Sequence, residues 1–295
     1  MKHFHLIISL IFIASILSAQ TVGDKLGVAM KKLEADSALK HASLSLYVVE
    51  SKTNKVVFDY NSQLGLAPAS CQKIITSVTA FELLGNSYQY KTELGYDGTI
   101  EDGILKGNLH VVGHGDPTLG SWRYNATKDS VVLDNWINAI KKAGIKKIDG
   151  NVYFDGGKFS YQPLPGGWIW DDIGNYYGAG TWGLNWHENQ YDLVLQPGKN
   201  EEDNVDILQT KPILQRVFLK PNIKTGKKGS GDNGYIYLSP YSTAGFVEGT
   251  VPAGEKTFTI TGAMPNPVWQ IEKILEDKLL LEQIGFKSMI DMAIL

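Results

Sequence analysis

From residue 91 onward the sequence is a succession of short β-prone runs punctuated by glycine, and this texture restricts the chain to a fold with many short strands. The runs at 91–96, 107–113, 151–155, 191–196, 211–220, 235–238 and 257–262 are rich in Val, Ile, Leu, Thr and Tyr and are bounded by turn residues. Two stretches break the pattern with apolar residues at helical spacing: 132–143, closed by Gly144, and 268–284, closed by Gly285. Helices scattered among strands, without regular βαβ alternation, give an α+β region. No internal repeat or low-complexity linker interrupts it.

The preceding residues have a different order. Val22, Leu26, Met30 and Leu33 form one face of an amphipathic helix over 21–39. Strands are expected at 42–50 and 56–60, joined by the turn residues Ser51-Lys-Thr-Asn-Lys55. A further helix begins at Pro68, where the missing N–H costs nothing, and ends at Gly85. Ile74, Ile75, Val78, Phe81, Leu83 and Leu84 make it apolar on most sides, so it is expected to be buried.

Composition narrows the function classes. The net charge is -3 and no basic block exists beyond Lys224, Lys227 and Lys228, which lie among glycines; a nucleic-acid partner is excluded on that ground. Cys71 is the single cysteine, so stability must come from a packed core rather than a disulfide. Residues 1–19 read as a secretory signal: Lys2, an apolar run over 4–17, then Ser18-Ala19. The run is shorter than the roughly 20 residues of a membrane span. Export to the periplasm is expected, with cleavage after Ala19 and no integral membrane span afterwards.

Ser70-Cys-Gln-Lys73 is the motif that carries chemistry. Residues three apart share a helix face, which brings the lysine amine to the serine hydroxyl. A serine needs a neighbouring base to become nucleophilic, and a desolvated lysine can act as one. Placed at a helix N-terminus in an exported chain, Ser-x-x-Lys matches the active-serine signature of penicillin-binding proteins and β-lactamases.

Pro68-Ala-Ser-Cys-Gln-Lys73 resembles the active-site segment of the D-alanyl-D-alanine carboxypeptidase/endopeptidase family of the penicillin-binding protein 4 type. The resemblance continues in Gly107-Asn-Leu-His-Val-Val-Gly-His-Gly-Asp-Pro-Thr-Leu119, Trp168-Ile-Trp-Asp-Asp172, Tyr177-Gly-Ala179, Gly229-Ser-Gly-Asp-Asn233, Gly249-Thr-Val-Pro252 and Phe258-Thr-Ile-Thr-Gly262. It implies a transpeptidase/β-lactamase-like domain interrupted by a large strand-rich insert. Residues 20–93 would begin the catalytic domain, 94–285 would be the insert, and 286–295 would start the return. It further implies a serine-type carboxypeptidase acting on peptidoglycan stem peptides, with endopeptidase action as a second option. Ser70 would be the nucleophile and Lys73 the base, with Trp168, Asp171 and Asp172 at the stem-peptide pocket. β-Lactams would be covalent inhibitors, and no metal or organic cofactor is called for.

Such a family completes its site with Ser-x-Asn and Lys-Thr-Gly segments. Lys224-Thr-Gly226 and Ser230-Gly-Asp-Asn233 are poor matches: the order is reversed, the second spacing is wrong, and the surrounding glycines suggest a flexible loop. The chain is therefore expected to lack its C-terminal catalytic portion, to be inactive alone, and to hold residues 21–93 loosely. The alternative is a non-catalytic peptidoglycan-binding module made mainly of the insert. Lesser signals are read as structural: Cys71 as a small buried residue, His110 and His114 as a pair lacking a third metal ligand, and Gly113-His-Gly-Asp116 as a turn.

Overall fold

The computed structural model describes residues 20–157 and 159–292, so the signal segment at 1–19 lies outside the described residues. The chain forms two compact units that divide between Ser87 and Tyr88.

In the first unit, helix α1 (Val22–Glu34) opens with a capping box: Thr21 Oγ1 accepts the Asp24 N–H at 3.1 Å and the Asp24 carboxylate accepts the Thr21 N–H at 3.0 Å. Strands β1 (Leu46–Val49) and β2 (Val56–Tyr60) form an antiparallel hairpin with Leu46 opposite Tyr60. A Cβ on Gly23 would lie 2.7 Å from the Val57 carbonyl oxygen, so glycine there lets α1 approach β2 and bury Met30. Helix α2 (Gln72–Leu84) follows a 3-10 turn at Ala69–Cys71 and ends at Gly85, whose φ is +79°. Here the structure departs from expectation. Ile74, Ile75, Val78, Phe81, Leu83 and Leu84 are all exposed, between 51% and 80%. A helix apolar on most sides needs cover from several directions, and the described residues do not supply it.

The second unit begins with β3 (Thr92–Tyr96), β4 (Thr99–Glu101), β5 (Ile104–Lys106) and β6 (Leu109–Gly113). Helix α3 (Asp129–Lys142), β7 (Lys147–Ile148), β8 (Val152–Asp155) and the single turn α4 (Trp170–Ile173) follow. The rest comprises β9 (Gln190–Gln196), β10 (Asp206–Lys211), β11 (Phe218–Pro221), β12 (Lys224–Gly226), β13 (Asn233–Tyr237), β14 (Ala244–Pro252), β15 (Phe258–Ala263), α5 (Pro267–Leu281) and β16 (Met289–Asp291).

Two cores hold this unit. One lies against the sheet β16-β8-β6-β3. Val111, Val152 and Phe154 of that sheet pack with Trp136 and Ile140 of α3 and with Ile271, Leu275 and Leu279 of α5. The four-residue spacings Val132–Trp136–Ile140 and Ile271–Leu275–Leu279 are what bring each helix's apolar stripe onto the sheet. The other core joins the sheet β10-β9-β15 to a second sheet in which β14 pairs with β11, β12 and β13. Leu193, Leu195 and Ile260 meet Ile223, Ile236, Val247 and Val251 there. Each fully buried aliphatic side chain contributes about 1.5–3 kcal/mol, which is how a chain without disulfides is held.

Several boundaries differ from those read in the sequence. The compact units part at 87/88 rather than 93/94, because Thr92 and Glu93 already belong to the β3–β6 ladder. Residues 289–291 pair in parallel with β8, so the chain is still within the second unit at Asp291. The run 211–220 is two strands in two sheets, and Pro212, lacking an N–H, marks the break. Helix α5 stops at Leu281, where Gln283 at φ +58° makes the turn in place of Gly285. Finally, Lys224–Gly226 is a strand paired to β14, not a flexible loop.

Asp97 fixes the turn after β3. Its carboxylate accepts from the Asn108 backbone N–H at 2.7 Å and from the Asn108 side-chain amide at 3.0 Å, and His110 Nε2 lies 2.9 Å away. The bonds from Asn108 first, and from His110 next, pull the Asp97 carboxyl down to about 2. A folded-state value below the unfolded one stabilises the fold above the unfolded value, and that contribution is lost as pH falls toward 2. Asp97→Asn should therefore flatten the stability–pH curve between about pH 4 and pH 2. Acid titration of both proteins by circular dichroism checks this; parallel curves would show that the Asp97 bonds do not discriminate the folded state.

Candidate active site

Ser70 stands in the 3-10 turn that leads into α2. Just before it, Ala69 has φ +45°, a left-handed conformation that costs a non-glycine residue about 1–3 kcal/mol. The turn is closed by the Cys71 N–H donating to the Pro68 carbonyl at 3.0 Å. Lys73, on the first turn of α2, donates from Nζ to Ser70 Oγ at 2.9 Å. The spacing of three thus joins the two groups as the sequence led one to expect. Ser70 also lies at the positive end of the α2 dipole, where developing negative charge is favoured. Both side chains are exposed, so the desolvation expected to activate the lysine is not provided by the described residues. Cys71 is exposed as well, contrary to its reading as a small buried residue; the 3-10 turn faces it outward.

Trp168, Asp171 and Asp172 lie in the second unit, and the structure assigns them different neighbours. Trp168 lines an apolar cleft of about 460 Å³ with Tyr161, Pro163, Pro165, Ile173 and Tyr241. Tyr161 and Tyr241 stack at 4.3 Å, and burial pushes the Tyr241 hydroxyl up to about 12. Asp171 accepts from the Tyr237 hydroxyl, which partial burial and that carboxylate push upward. Asp172 acts likewise on Tyr177, where burial is again the larger cause. The two carboxylates, expected to border one pocket with Trp168, therefore sit on tyrosines outside this cleft.

Asn175, which sequence reasoning passed over, holds this segment in place. It is 5% exposed; its side-chain amide donates to the Asp171 carbonyl at 2.6 Å and its Oδ1 accepts the Ile236 N–H at 3.1 Å. Next to it, a Cβ on Gly174 would fall 1.9 Å from the Ile236 carbonyl oxygen. The dipeptide Gly174-Asn175 in the sequence is a turn signal, and nothing in it announces a buried junction between α4 and β13.

The discounted motifs have defined structural roles. Thr225 is fully buried and its hydroxyl accepts the Gly198 N–H at 2.8 Å, while Lys224 Nζ donates to Asn204 at 2.7 Å. A Lys-Thr-Gly so engaged does not present itself to a substrate carboxylate. His110 is paired with Asp97, and His114 Nε2 lies 2.8 Å from Glu93. Among the described residues no group of three or more His, Cys, Asp or Glu is placed to hold a metal ion. No helix among them is long and apolar enough to cross a membrane.

Comparison with known proteins gives a consistent result. The chain is 33% identical over 154 residues to the D-alanyl-D-alanine carboxypeptidase DacB of Haemophilus influenzae, covering 52% of this chain and 30% of that protein. It is 26% identical over 243 residues to the D-alanyl-D-alanine carboxypeptidase of Actinomadura sp. strain R39, covering 78% and 39%. The crystal structure of penicillin-binding protein 4 (dacB) from Haemophilus influenzae superposes with a TM-score of 0.64 at 25% identity, over 81% of this chain and 51% of the other. The same protein complexed with a β-lactam gives a TM-score of 0.60 at 23% identity over 84% and 51%. The chain thus spans well under two thirds of each relative, and its α+β architecture is that of penicillin-binding protein 4. With residues 26–293 matched, the chain belongs to the D-Ala-D-Ala carboxypeptidase 3 (S13) family.

Proposed function

We propose that this chain carries the nucleophile and base of a serine-type D-Ala-D-Ala carboxypeptidase acting on peptidoglycan stem peptides. The observation that carries the reading is the 2.9 Å bond from Lys73 Nζ to Ser70 Oγ at the head of α2. Lys73 takes the Ser70 hydroxyl proton as the oxygen attacks the carbonyl of the terminal D-Ala-D-Ala bond. The Ser70 backbone N–H supplies one contact to the oxyanion. The C–N bond then breaks, D-Ala leaves with a proton returned from Lys73, and water hydrolyses the acyl ester. The same acylation accounts for β-lactams as covalent inhibitors, and cleavage of D-Ala-containing crosslinks would follow the same course. Trp168, Asp171 and Asp172 are proposed to border the stem-peptide pocket, Trp168 through the cleft it lines and the two carboxylates through Tyr237 and Tyr177. The protein works outside the cytoplasm, exported by residues 1–19 and cut after Ala19.

A second reading has one observation in its favour. The second unit closes two cores of its own, whereas the apolar side chains of α2 stand in solvent. On this reading the chain is a non-catalytic peptidoglycan-binding module made mainly of the second unit. Incubation with a β-lactam followed by peptide mass mapping separates the two. The adduct is expected on the peptide containing Ser70 and on the Ser70 oxygen; an adduct on Cys71 refutes the assignment, and no adduct favours the second reading.

A further inference from the structure

A cleft of about 620 Å³ in the second unit contains neither the Ser70 pair nor Trp168. That volume lies within the roughly 300–1,000 Å³ of small-molecule sites. We infer that this cleft is a saccharide-binding site that takes a short stretch of neutral pyranose chain.

The chemistry of its walls favours this class of ligand. A pyranose offers a flat C–H face and a rim of hydroxyls, so its site needs exposed aromatic faces with hydrogen-bonding groups beside them. Trp122 and Tyr176, 43% and 52% exposed, both line the cleft. Polar groups stand between: Gln190, Asp192 and Thr261 on β9 and β15, Asp129 at the start of α3, and Gln270 on α5. Gln270 is only 4% exposed. Its side-chain amide donates to the Ile213 carbonyl at 3.0 Å, leaving its own carbonyl oxygen without a donor among the described residues. Tyr191 is 1% exposed, its hydroxyl also lacks a partner among them, and it forms part of the wall.

Charge argues against an anionic or cationic ligand. Arg123 and Lys211 line the cleft together with Asp129 and Asp192, and Arg123 is paired with Glu188 at 2.8 Å. A phosphate or nucleotide site would be strongly positive. Balanced charge with amides and aromatics suits a polyhydroxylated neutral chain instead.

The site is also built at a cost in backbone strain. His187, Glu188 and Asn189 are three consecutive non-glycine residues with φ between +53° and +55°. Such conformations persist only where their surroundings fix them. Here Glu188 is held by Ser121 and Arg123, and the Asn189 side-chain amide donates to Gly180 and Asn185. The strained turn presses His187 against Trp122, ring centroids 4.5 Å apart, while Arg123 lies 5.2 Å over the same indole. An exposed tryptophan is thereby fixed before any ligand arrives, which lowers the entropy lost on binding.

The inference rests on the proposed peptidoglycan reading only for the identity of the sugar. The test titrates the full chain, by calorimetry, with a tetramer of β-1,4-linked N-acetylglucosamine, with maltotetraose and with a D-Ala-D-Ala pentapeptide. Saturable binding of the N-acetylglucosamine tetramer is expected, weakened at least about tenfold by Trp122→Ala and by Tyr176→Ala, and unchanged by Ser70→Ala. Both aromatic side chains are part-exposed, so unchanged circular dichroism spectra are expected; should either variant lose its fold, the other and Gln270→Leu carry the test. No binding of the tetramer, binding indifferent to these substitutions, or binding of the pentapeptide alone at this cleft overturns the inference. Loss of β-lactam acylation with tetramer binding retained would overturn the carboxypeptidase reading and leave this one standing.

Discussion

Ser70→Ala should abolish covalent acylation by a β-lactam, and Lys73→Ala should slow it by roughly 10²–10⁴-fold, the usual contribution of a positioned general base. The expectation follows from the geometry at the head of α2, where Lys73 Nζ is the group hydrogen-bonded to Ser70 Oγ. Lys73→Arg should not restore the rate. A guanidinium keeps its proton across the accessible pH range and so cannot accept one from the serine. Following adduct formation with a fluorescent penicillin over time, in the wild type and the three variants, checks all of this. An adduct persisting in Ser70→Ala would move the nucleophile elsewhere, and wild-type kinetics in Lys73→Ala would require a different base.

The second large effect concerns stability. Phe154 is fully buried at the middle of the sheet β16-β8-β6-β3, in the core closed by α3 and α5. Phe154→Ala should cost about 3–5 kcal/mol, from lost burial and the cavity left behind. Against a typical domain stability of about 5–15 kcal/mol that is a large fraction. For a unit of this size it should lower the thermal midpoint by roughly 6–20 °C, at about 2–4 °C per kcal/mol. Leu208→Ala, at a side chain 48% exposed, should change it far less. Differential scanning calorimetry distinguishes the two; equal shifts would contradict the packing assigned to β8.

The sequence makes the Ser70–Lys73 pair legible because the relation is local: three residues on one helix face settle the distance whatever the rest of the chain does. The strands at 56–60 and 191–196 are legible for the same reason, as their patterns are unbroken. Strand β14 was not. Gly245 and Gly249 interrupt its alternation, yet it is the strand to which β11, β12 and β13 are all bonded. A Cβ on Gly249 would lie 2.0 Å from the Asn233 carbonyl, so the feature that hides the strand is the one that permits close pairing. The environment of α2 was equally hidden, since an apolar sequence states a need for cover and not whether cover is present. Nor could pattern reveal the cleft around Trp122, whose walls come from segments more than a hundred residues apart along the chain.

The positions of β3 and β16 at opposite edges of one sheet bear on how such a unit can be joined to others. Thr92 at the start of β3 pairs with Gly113 at the end of β6, and Asp291 at the end of β16 pairs with Phe154 near the end of β8. Since β6 and β8 run in parallel, the chain arrives and departs at the same end of the sheet. With neighbouring strands about 4.8 Å apart, the two points are separated by only about 14 Å across the sheet. A unit whose two ends lie so near each other can be spliced into a loop of a host fold without prising that fold apart. The strand order therefore holds Thr92 and Asp291 about as far apart as two neighbouring positions on the surface of a host domain.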